Sequence, residues 1–190
     1  NLPYVKGVRI GIKLPDTVNI MIEEESVVYA IKSSDGQWWM MDSDGRVVEQ
    51  ANNAKAATAT QLLGVTLEAP AVNQKGIATE MTPSETNELG ELIPVTTTGA
   101  QRLTAALQIF KALESNDIVG EAASVDVTST EDIILWYGTR YQVNLGDTSR
   151  LDYKIDCMND AILQMSDYQS GVLDVSFTIW PNQVGYTPFA

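Results

Sequence analysis

Histidine is absent from this chain of 190 residues, and the chain has one cysteine, Cys157. Without histidine it lacks the commonest general base, the usual partner of Ser and Cys nucleophiles, and the commonest zinc ligand. A single cysteine excludes an internal disulfide and a Cys-x-x-Cys site. Glycine-rich phosphate loops and Gly-x-Ser-x-Gly elbows are also missing. We therefore expect a non-catalytic protein that has no cofactor and no metal site.

Basic residues are scarce, since 12 Lys and Arg stand against 25 Asp and Glu, for a net charge of −13. Binding to nucleic acid needs clustered cations that neutralise phosphates, so this charge argues against it. The charge also disfavours direct contact with an anionic membrane surface. Hydrophobic residues nevertheless make up 44% of the chain. That share predicts a globular protein with a real core.

Long apolar runs are missing as well, because no stretch reaches the roughly 18 residues that a transmembrane helix needs. The sequence begins with Asn1 rather than Met. We expect a piece of a longer protein with a signal or an anchor upstream of this sequence.

Strands are predicted in the first third of the chain. Apolar and polar residues alternate over residues 8–14 and again over residues 18–22, with the pair Pro15-Asp16 between them. This pattern predicts a hairpin with one buried face. Further short β-rich runs, separated by turn residues, occupy residues 27–31, 38–41, 46–48 and 62–67.

Two amphipathic helices are predicted among later strands. The first begins at a capping box of the form Thr98-x-x-Gln101 and ends near Ser115. The second is predicted over residues 149–164, with Ser149 as its candidate cap. Strands are expected at residues 122–128, 132–137, 141–145 and 172–179, with renewed pairing at residues 184–186. The order favours an α+β domain, a mostly antiparallel β-sheet with two amphipathic helices packed on one face. Residues 79–91 are predicted to be the most mobile part.

Three groups of acidic residues have both a functional and an ordinary interpretation. The run Glu23-Glu24-Glu25 offers paired carboxylates for glycoside hydrolysis, but at a strand end it is typical of a solvated edge. The run Asp42-Ser43-Asp44-Gly45 begins like a calcium loop, yet the Gly and Glu of that motif do not follow at the required positions, which favours a β-turn. Three aspartates spaced by four residues are favoured as the polar face of the second helix over a cation site: Asp152, Asp156 and Asp160.

Several stretches, in one order, resemble a known family. The first runs from Leu2 to Ala30 and contains Pro15-Asp16-Thr17-Val18-Asn19-Ile20. Later pieces are Asp42-x-Asp44-Gly45, Leu62-Leu63-Gly64-Val65, Val143-Asn144-Leu145-Gly146-Asp147 with Leu151 and Lys154 after it, and Gly171-Val172-Leu173-Asp174-Val175-Ser176-Phe177. Together they resemble the FtsQ/DivIB cell-division proteins. The chain departs from the family at Glu25 and Ser176, where basic residues are common, and at Val27, where Pro is usual; residues 73–97 are not covered.

The resemblance implies a domain organisation and a location. Residues 1–26 would be the last strands of a POTRA domain, and residues 27–190 would be the larger β-domain. The family has one transmembrane helix with both domains outside the membrane. This implies a single-pass protein of the cell membrane at the division septum, whose anchor this sequence lacks.

The resemblance also implies a role as a non-catalytic divisome scaffold. Such a protein binds coiled-coil partners of the FtsB/DivIC and FtsL types and through them influences septal peptidoglycan synthesis. In the family a partner segment adds to the sheet beside the final strand, a mode called β-augmentation. We therefore expect residues 173–179 to form the sheet edge that a partner strand completes, within a working surface at residues 173–189. By position the partner-binding residues are Asp174, Ser176, Phe177, Ile179 and Tyr186.

Two other functions stay open at this point. Another exported adaptor or secretion-associated module of the POTRA type would bind through the N-terminal hairpin, at residues 18–22. A cell-wall hydrolase would act through carboxylates such as Glu24 or Asp44. For Cys157 a half-buried free thiol is expected, without a reactive role.

Overall fold

The structure is a computed structural model that describes residues 4–24, 28–80, 97–179 and 181–189, with the backbone alone at Lys6, Glu23 and Glu24. Within these ranges the chain forms strands, helices and one 3₁₀ turn at Val119–Glu121. In chain order they are β1 (Val5–Lys13), β2 (Thr17–Glu24), β3 (Tyr29–Ser33), β4 (Trp38–Met41), β5 (Val47–Ala51), α1 (Asn53–Ala56), β6 (Gln61–Leu67), α2 (Gly99–Ser115), β7 (Ala122–Asp126), β8 (Ile133–Tyr137), β9 (Tyr141–Gly146), α3 (Leu151–Leu163), β10 (Gly171–Asp174) and β11 (Gly185–Pro188).

The first two strands form an antiparallel hairpin that is separate from the main sheet. This confirms the hairpin that the alternation predicts. The predicted burial of one face is wrong, because the described residues leave that face uncovered. Its six cross-strand partners are between 54% and 76% exposed: Val8 with Ile22, Ile10 with Ile20, and Ile12 with Val18.

The remaining strands form one nine-stranded sheet in the order β11-β10-β9-β8-β7-β6-β3-β4-β5. Five neighbouring pairs are antiparallel, and three are parallel: β3 with β6, β6 with β7, and β9 with β10. The sheet is therefore mostly antiparallel and the fold is α+β, as predicted. β5 and β11 are its two edge strands.

The main core lies between one face of this sheet and helices α2 and α3. Tyr29 of β3 stacks on Phe110 of α2, with ring centroids 3.5 Å apart. The short helix α1 packs on the opposite face, against Ala30 and Met40, which alternate with the core-facing residues of β3 and β4. Two helices on one face are thus confirmed, and α1 is a third helix that the sequence pattern did not predict.

The helix starts differ in how well the sequence predicts them. At α2 the capping box is confirmed, since the Thr98 hydroxyl accepts from the Gln101 N–H at 3.2 Å and the Gln101 side chain accepts from the Thr98 N–H at 2.8 Å. At α3 the predicted Ser149 cap is wrong. The N-cap is Arg150, in the left-handed region at φ 53°, without a side-chain cap bond. The Ser149 hydroxyl instead donates a hydrogen bond to the Asp147 carboxylate at 2.5 Å.

The C-terminal strand is shorter than predicted. β10 ends at Asp174 and lies between β9 and β11, so the expected sheet edge at residues 173–179 is wrong. The chain turns away because the Asp174 carboxylate accepts from the Ser176 N–H at 2.9 Å and Phe177 adopts a left-handed φ of 59°. It returns as β11, which confirms the renewed pairing expected near residues 184–186.

Part of the segment predicted to be mobile, from residue 81 onward, lies outside the described residues. Among the helices that the structure describes, none is both long and apolar enough to cross a membrane.

Candidate functional site

The edge strand β11 presents alternate backbone groups inward and outward. Its inward set includes Phe189, whose N–H donates to the Ser170 carbonyl at 3.1 Å. Gly185 and Thr187 belong to the same set, since they lie opposite Asp174 and Val172 of β10. Because hydrogen bonding alternates along an antiparallel pair, the backbone groups of the residues between them point away from the sheet. These outward residues are Val184, Tyr186 and Pro188.

The outer side of β11 therefore has a specific donor and acceptor pattern. Tyr186 offers an N–H and a carbonyl, whereas Pro188 offers a carbonyl and has no N–H. No residue in the described ranges pairs with this side of the strand. An exposed row of this kind is a template on which another extended chain can pair.

Gly171 permits the close approach of β10 and β11. A Cβ atom at this position would lie 2.3 Å from the Thr187 carbonyl oxygen and 2.9 Å from the Pro188 Cα. Both contacts are with backbone, which cannot rotate away. Any larger residue at position 171 must therefore push β11 from its place.

The Tyr186 side chain belongs to the core rather than to the open edge. Tyr186 lies opposite Leu173, whose side chain is fully buried, and its ring packs against the main core. Its hydroxyl donates to the Ser170 carbonyl at 3.1 Å. Of the predicted partner-binding residues Tyr186 is the one on the edge, and there its backbone, not its ring, faces outward.

The other predicted residues lie on the turn between β10 and β11. Phe177 is half-buried, and its ring centroid is 5.5 Å from that of Tyr153 on α3. The Arg150 guanidinium lies 4.4 Å from the Tyr153 ring and 5.6 Å from the Phe177 ring, and it donates to Asn182 Oδ1 at 3.1 Å. These contacts tie the turn to α3. Arg150, Tyr153 and Asn182 were not predicted, because nothing in their local sequence indicates that they meet.

Of the remaining predicted residues, Asp174 ends β10, and Ser176 and Ile179 belong to the same turn. Asp174 and Ser176 are half-buried and joined by the bond described above, while Ile179 is 68% exposed. The structure thus places four of the five predicted residues on or beside one turn and the fifth on the edge strand.

A buried lysine supports the same half of the sheet. The side chain of Lys154 on α3 is 1% exposed, and its Nζ donates to both the carbonyl and the carboxylate of Asp147, each at 2.8 Å. The hydrogen bond from Lys154, with a second from Ser149, lowers the pKa of Asp147 from 3.8 to about 2. Lys154 lies among apolar side chains on the core face of α3. The acidic residues around it in the sequence did not predict this position.

The acidic groups singled out in the sequence are otherwise engaged or outside the described residues. Asp42 is buried and accepts from the N–H groups of Asp44 and Arg46 at 3.1 and 2.8 Å, which confirms the β-turn. Asp44 forms an ion pair with Lys111 at 2.9 Å. The side chains of Glu23-Glu24-Glu25 are not among those described. Within the described parts of the chain, no three His, Cys, Asp or Glu residues are placed to hold a metal ion. Cys157 is half-buried, as expected.

The opposite edge strand, β5, is covered over its first half. The Val47 N–H donates to the Gln74 carbonyl at 2.8 Å, and the Val47 carbonyl accepts from the Asn73 N–H at the same distance. Residue Gly76 donates to Gly45 at 2.8 Å. A crossing segment of the chain, residues 73–76, therefore occupies this side.

Tyr4 joins the hairpin to β5. Its hydroxyl donates to the Glu49 carboxylate at 2.6 Å and accepts from Lys55 Nζ at 3.1 Å, and Lys55 also pairs with Glu49. Burial, and then the bond to Glu49, raises the pKa of Tyr4. Burial alone would raise the pKa of Glu49, but the hydrogen bonds from Lys55 and Tyr4 outweigh it and lower that pKa. These three side chains contact one another beside the second half of β5.

Comparison with known proteins gives one partial likeness. No protein-family model matches the chain. Over 65 residues, 34% of its length, the chain is 35% identical to the cell division protein DivIB of Clostridium acetobutylicum. The match spans 26% of that protein, about a quarter of its own length. The likeness is to a cell-division protein. It agrees with the FtsQ/DivIB resemblance in the sequence and suggests a role in cell division.

Proposed function

We propose that this chain is a non-catalytic scaffold of the cell-division machinery that binds a partner strand along the outer side of β11. The partners are of the FtsB/DivIC and FtsL types, and through them the chain influences septal peptidoglycan synthesis. It acts outside the cell membrane, held there by an anchor upstream of this sequence. Residues 1–26 complete a POTRA domain, and residues 27–190 are the β-domain.

The observation that carries this proposal is the unpaired outer side of β11. The strand pairs with β10 on its inner side, so its outward groups are already in the extended arrangement that pairing requires. Main-chain hydrogen bonds of this kind supply affinity without requiring a particular sequence. The opposite edge, β5, is covered and offers no comparable row over residues 45–47. The DivIB likeness adds the biological setting.

The deciding experiment separates the outward N–H from the side chain that bears it. Both Tyr186→Pro and Tyr186→Val lose the ring. Only Tyr186→Pro also loses the outward N–H, which Tyr186→Val keeps. Proline is compatible with an edge strand whose N–H faces solvent. We expect Tyr186→Pro to weaken binding of the DivIC-type partner at least tenfold relative to Tyr186→Val, measured by titration calorimetry with the purified full-length proteins.

Equal affinity of the two variants would contradict the proposal, provided that both give the same cooperative thermal transition. A cellular arm uses the same pair. In a strain depleted of the native protein, Tyr186→Val should restore division, whereas Tyr186→Pro should leave filaments. Complementation by Tyr186→Pro would place the essential contact elsewhere.

A second candidate, an adaptor that binds through the N-terminal hairpin, is favoured by one observation. The hairpin exposes six apolar side chains on one face, and a contiguous exposed apolar patch marks an interaction site in many proteins. Under this alternative, Ile20→Asp abolishes partner binding and Tyr186→Pro does not. Under the scaffold proposal, Tyr186→Pro weakens partner binding and Ile20→Asp does not. Release of muropeptides that stops in an Asp44→Asn variant would support the hydrolase instead.

A further inference from the structure

The sheet face opposite α2 and α3 has an apolar patch next to β11. Strand alternation places Ile134, Trp136 and Val172 on this face, because their neighbours Leu135 and Leu173 are buried in the main core. The three side chains are half-buried and belong to neither core cluster. Together with Phe189 they are called the open-face patch below.

Phe189 extends this patch to the sheet edge. It follows Thr187 by two residues, so both side chains lie on the open face. Its ring centroid is 6.2 Å from that of Trp136, with 27° between the ring planes. Since Trp136 is on β8, the two rings reach towards each other across β9 and β10. Phe189 remains 41% exposed, which leaves ring surface for a further strand.

A carboxylate lies beside the patch with a clear path to the edge. Asp174 is two residues from Val172 on β10 and lies opposite Gly185 of β11. Gly185 has no side chain, so nothing on β11 stands between the carboxylate and the next strand position. Asp174 forms no ion pair with any described residue. One carboxylate oxygen accepts from the Ser176 N–H, and among the residues that the structure describes none donates to the other.

We infer that the partner strand carries a large apolar residue and, two positions away, a lysine or arginine. This inference rests on the proposed function, because it needs a strand paired with β11. Cross-strand neighbours share a face, so the partner residues opposite Thr187 and Gly185 both point to the open face. The first adjoins the Phe189 ring. The second is about 10 Å from the Asp174 backbone, two strand spacings away, and a long cationic side chain spans that distance.

The charge of the whole chain points the same way. At a net charge of −13, the surface attracts a basic segment and repels an acidic one. The apolar half of the motif excludes simple polycations, because these would leave the Phe189 and Trp136 rings in water. The site therefore selects an apolar residue and a basic residue at a fixed separation, and a basic composition alone is not sufficient.

The test is a selection of phage-displayed random heptapeptides on the full chain. We expect the enriched peptides to have an aromatic or aliphatic residue with Lys or Arg two positions from it. The position of binding is read from the exchange of the Tyr186 backbone amide, measured by NMR with and without a synthetic copy of the best peptide. Slower exchange marks pairing with β11.

Two variants test the two halves of the motif separately. Asp174→Asn keeps the oxygen that Ser176 needs and removes the charge, so affinity for the best peptide should fall about threefold and the basic preference should vanish. Phe189→Ser should reduce affinity roughly threefold to tenfold and remove the apolar preference. Asp156→Asn, an exposed acid on α3, is the charge-matched control and should change neither.

The outcomes distinguish this inference from the proposed function. Peptides that protect the Tyr186 amide but lack the motif, or that bind Asp174→Asn and Phe189→Ser as well as the native chain, overturn the inference and leave the proposed function standing. A selection that yields no peptide protecting Tyr186 overturns both.

Discussion

The two edges of the nine-stranded sheet are finished in opposite ways. At β5 the chain covers the start of its own edge, where residues 73–76 pair with the strand, and the Tyr4–Glu49–Lys55 contacts lie beside the remainder. At β11 no described residue pairs with the outer side, and Tyr186 presents both backbone groups outward. A protein that covers one edge and leaves the other bare is expected to use the bare one, since an unused open edge invites aggregation.

The two edges also differ in what holds them. β5 is stabilised by bonds made at the edge itself. β11 is positioned from behind, by the close approach at Gly171 and by Arg150, which contacts Phe177 and Asn182 in the preceding turn. Changes at a distance from the outer surface should therefore affect β11 more than β5.

The largest effect is expected from Gly171→Val. The new side chain would overlap the Thr187 carbonyl, which displaces β11 and destabilises the domain by about 3 kcal/mol. Amide exchange at Gly185 and Thr187 should accelerate strongly, while exchange in β5 should stay unchanged. Gly120→Ala is the control, because a Cβ there meets no atom within 4 Å. Continued protection of the Thr187 amide in Gly171→Val would contradict the account of this contact.

The next effect concerns the Lys154–Asp147 pair behind the open edge. Asp147→Ala leaves a buried ammonium with the backbone carbonyl as its remaining partner, at a cost of roughly 1–3 kcal/mol. Lys154→Met leaves an exposed carboxylate in water and should cost less. Urea unfolding of both variants checks the order, and a larger loss in Lys154→Met would contradict it.

The same pair predicts a pH dependence. The folded-state pKa of Asp147, about 2, lies below its ordinary 3.8, so its contribution to stability is fully present above pH 3.8 and is lost as the pH falls towards 2. The native chain should lose stability relative to Lys154→Met over this window, measured by urea unfolding from pH 5 to pH 2. Parallel curves for the two proteins would show that the pair does not have this role.

A smaller effect is expected at the covered edge from Tyr4→Phe. Loss of the hydroxyl removes its bonds to Glu49 and Lys55 and should cost about 1 kcal/mol. Exchange at the start of β1 should quicken, and β11 should not respond. Tyr168→Phe, at a ring that is 88% exposed, serves as the control. A response of β11 equal to that of β1 would mean that the two edges are coupled.

The smallest effect is expected from Arg150→Lys. The variant keeps the positive charge but loses the planar group that stacks on Tyr153 and Phe177 and binds Asn182. Amides of the turn at residues 175–179 and 182–184 should exchange about twofold to fivefold faster. Unchanged exchange there would remove Arg150 from the contacts that position β11.

Local patterns in the sequence predict most of the fold. Alternation locates the hairpin, short β-rich runs between turn residues locate β3 to β9, and the Thr98 capping box marks the start of α2 at the right residue. The pattern fails where a tertiary contact decides. The run after Gly171 is apolar enough for a long strand, but the Asp174–Ser176 bond and the left-handed Phe177 end it early.

The candidate site is harder to predict than the fold, for the same reason. Phe177 and Tyr186 are the residues that the FtsQ/DivIB resemblance indicates, yet which backbone groups of Tyr186 face outward depends on register with β10. Register is a property of two strands, and one strand's sequence does not contain it. Arg150 contacts Tyr153 within its own helix, but Phe177 and Asn182 lie in a turn about 30 residues later, and no spacing in the sequence relates that turn to the helix.

The single thiol has a practical consequence. Cys157 is half-buried one helical turn after Tyr153, whose ring contacts Phe177 of the turn that leads to β11. Thiol-directed labelling of this chain is therefore confined to one native position, next to the contacts that hold the open edge. We expect the rate at which an alkylating reagent modifies Cys157 to rise when that turn loosens, so the native thiol can be used to follow it without an engineered probe.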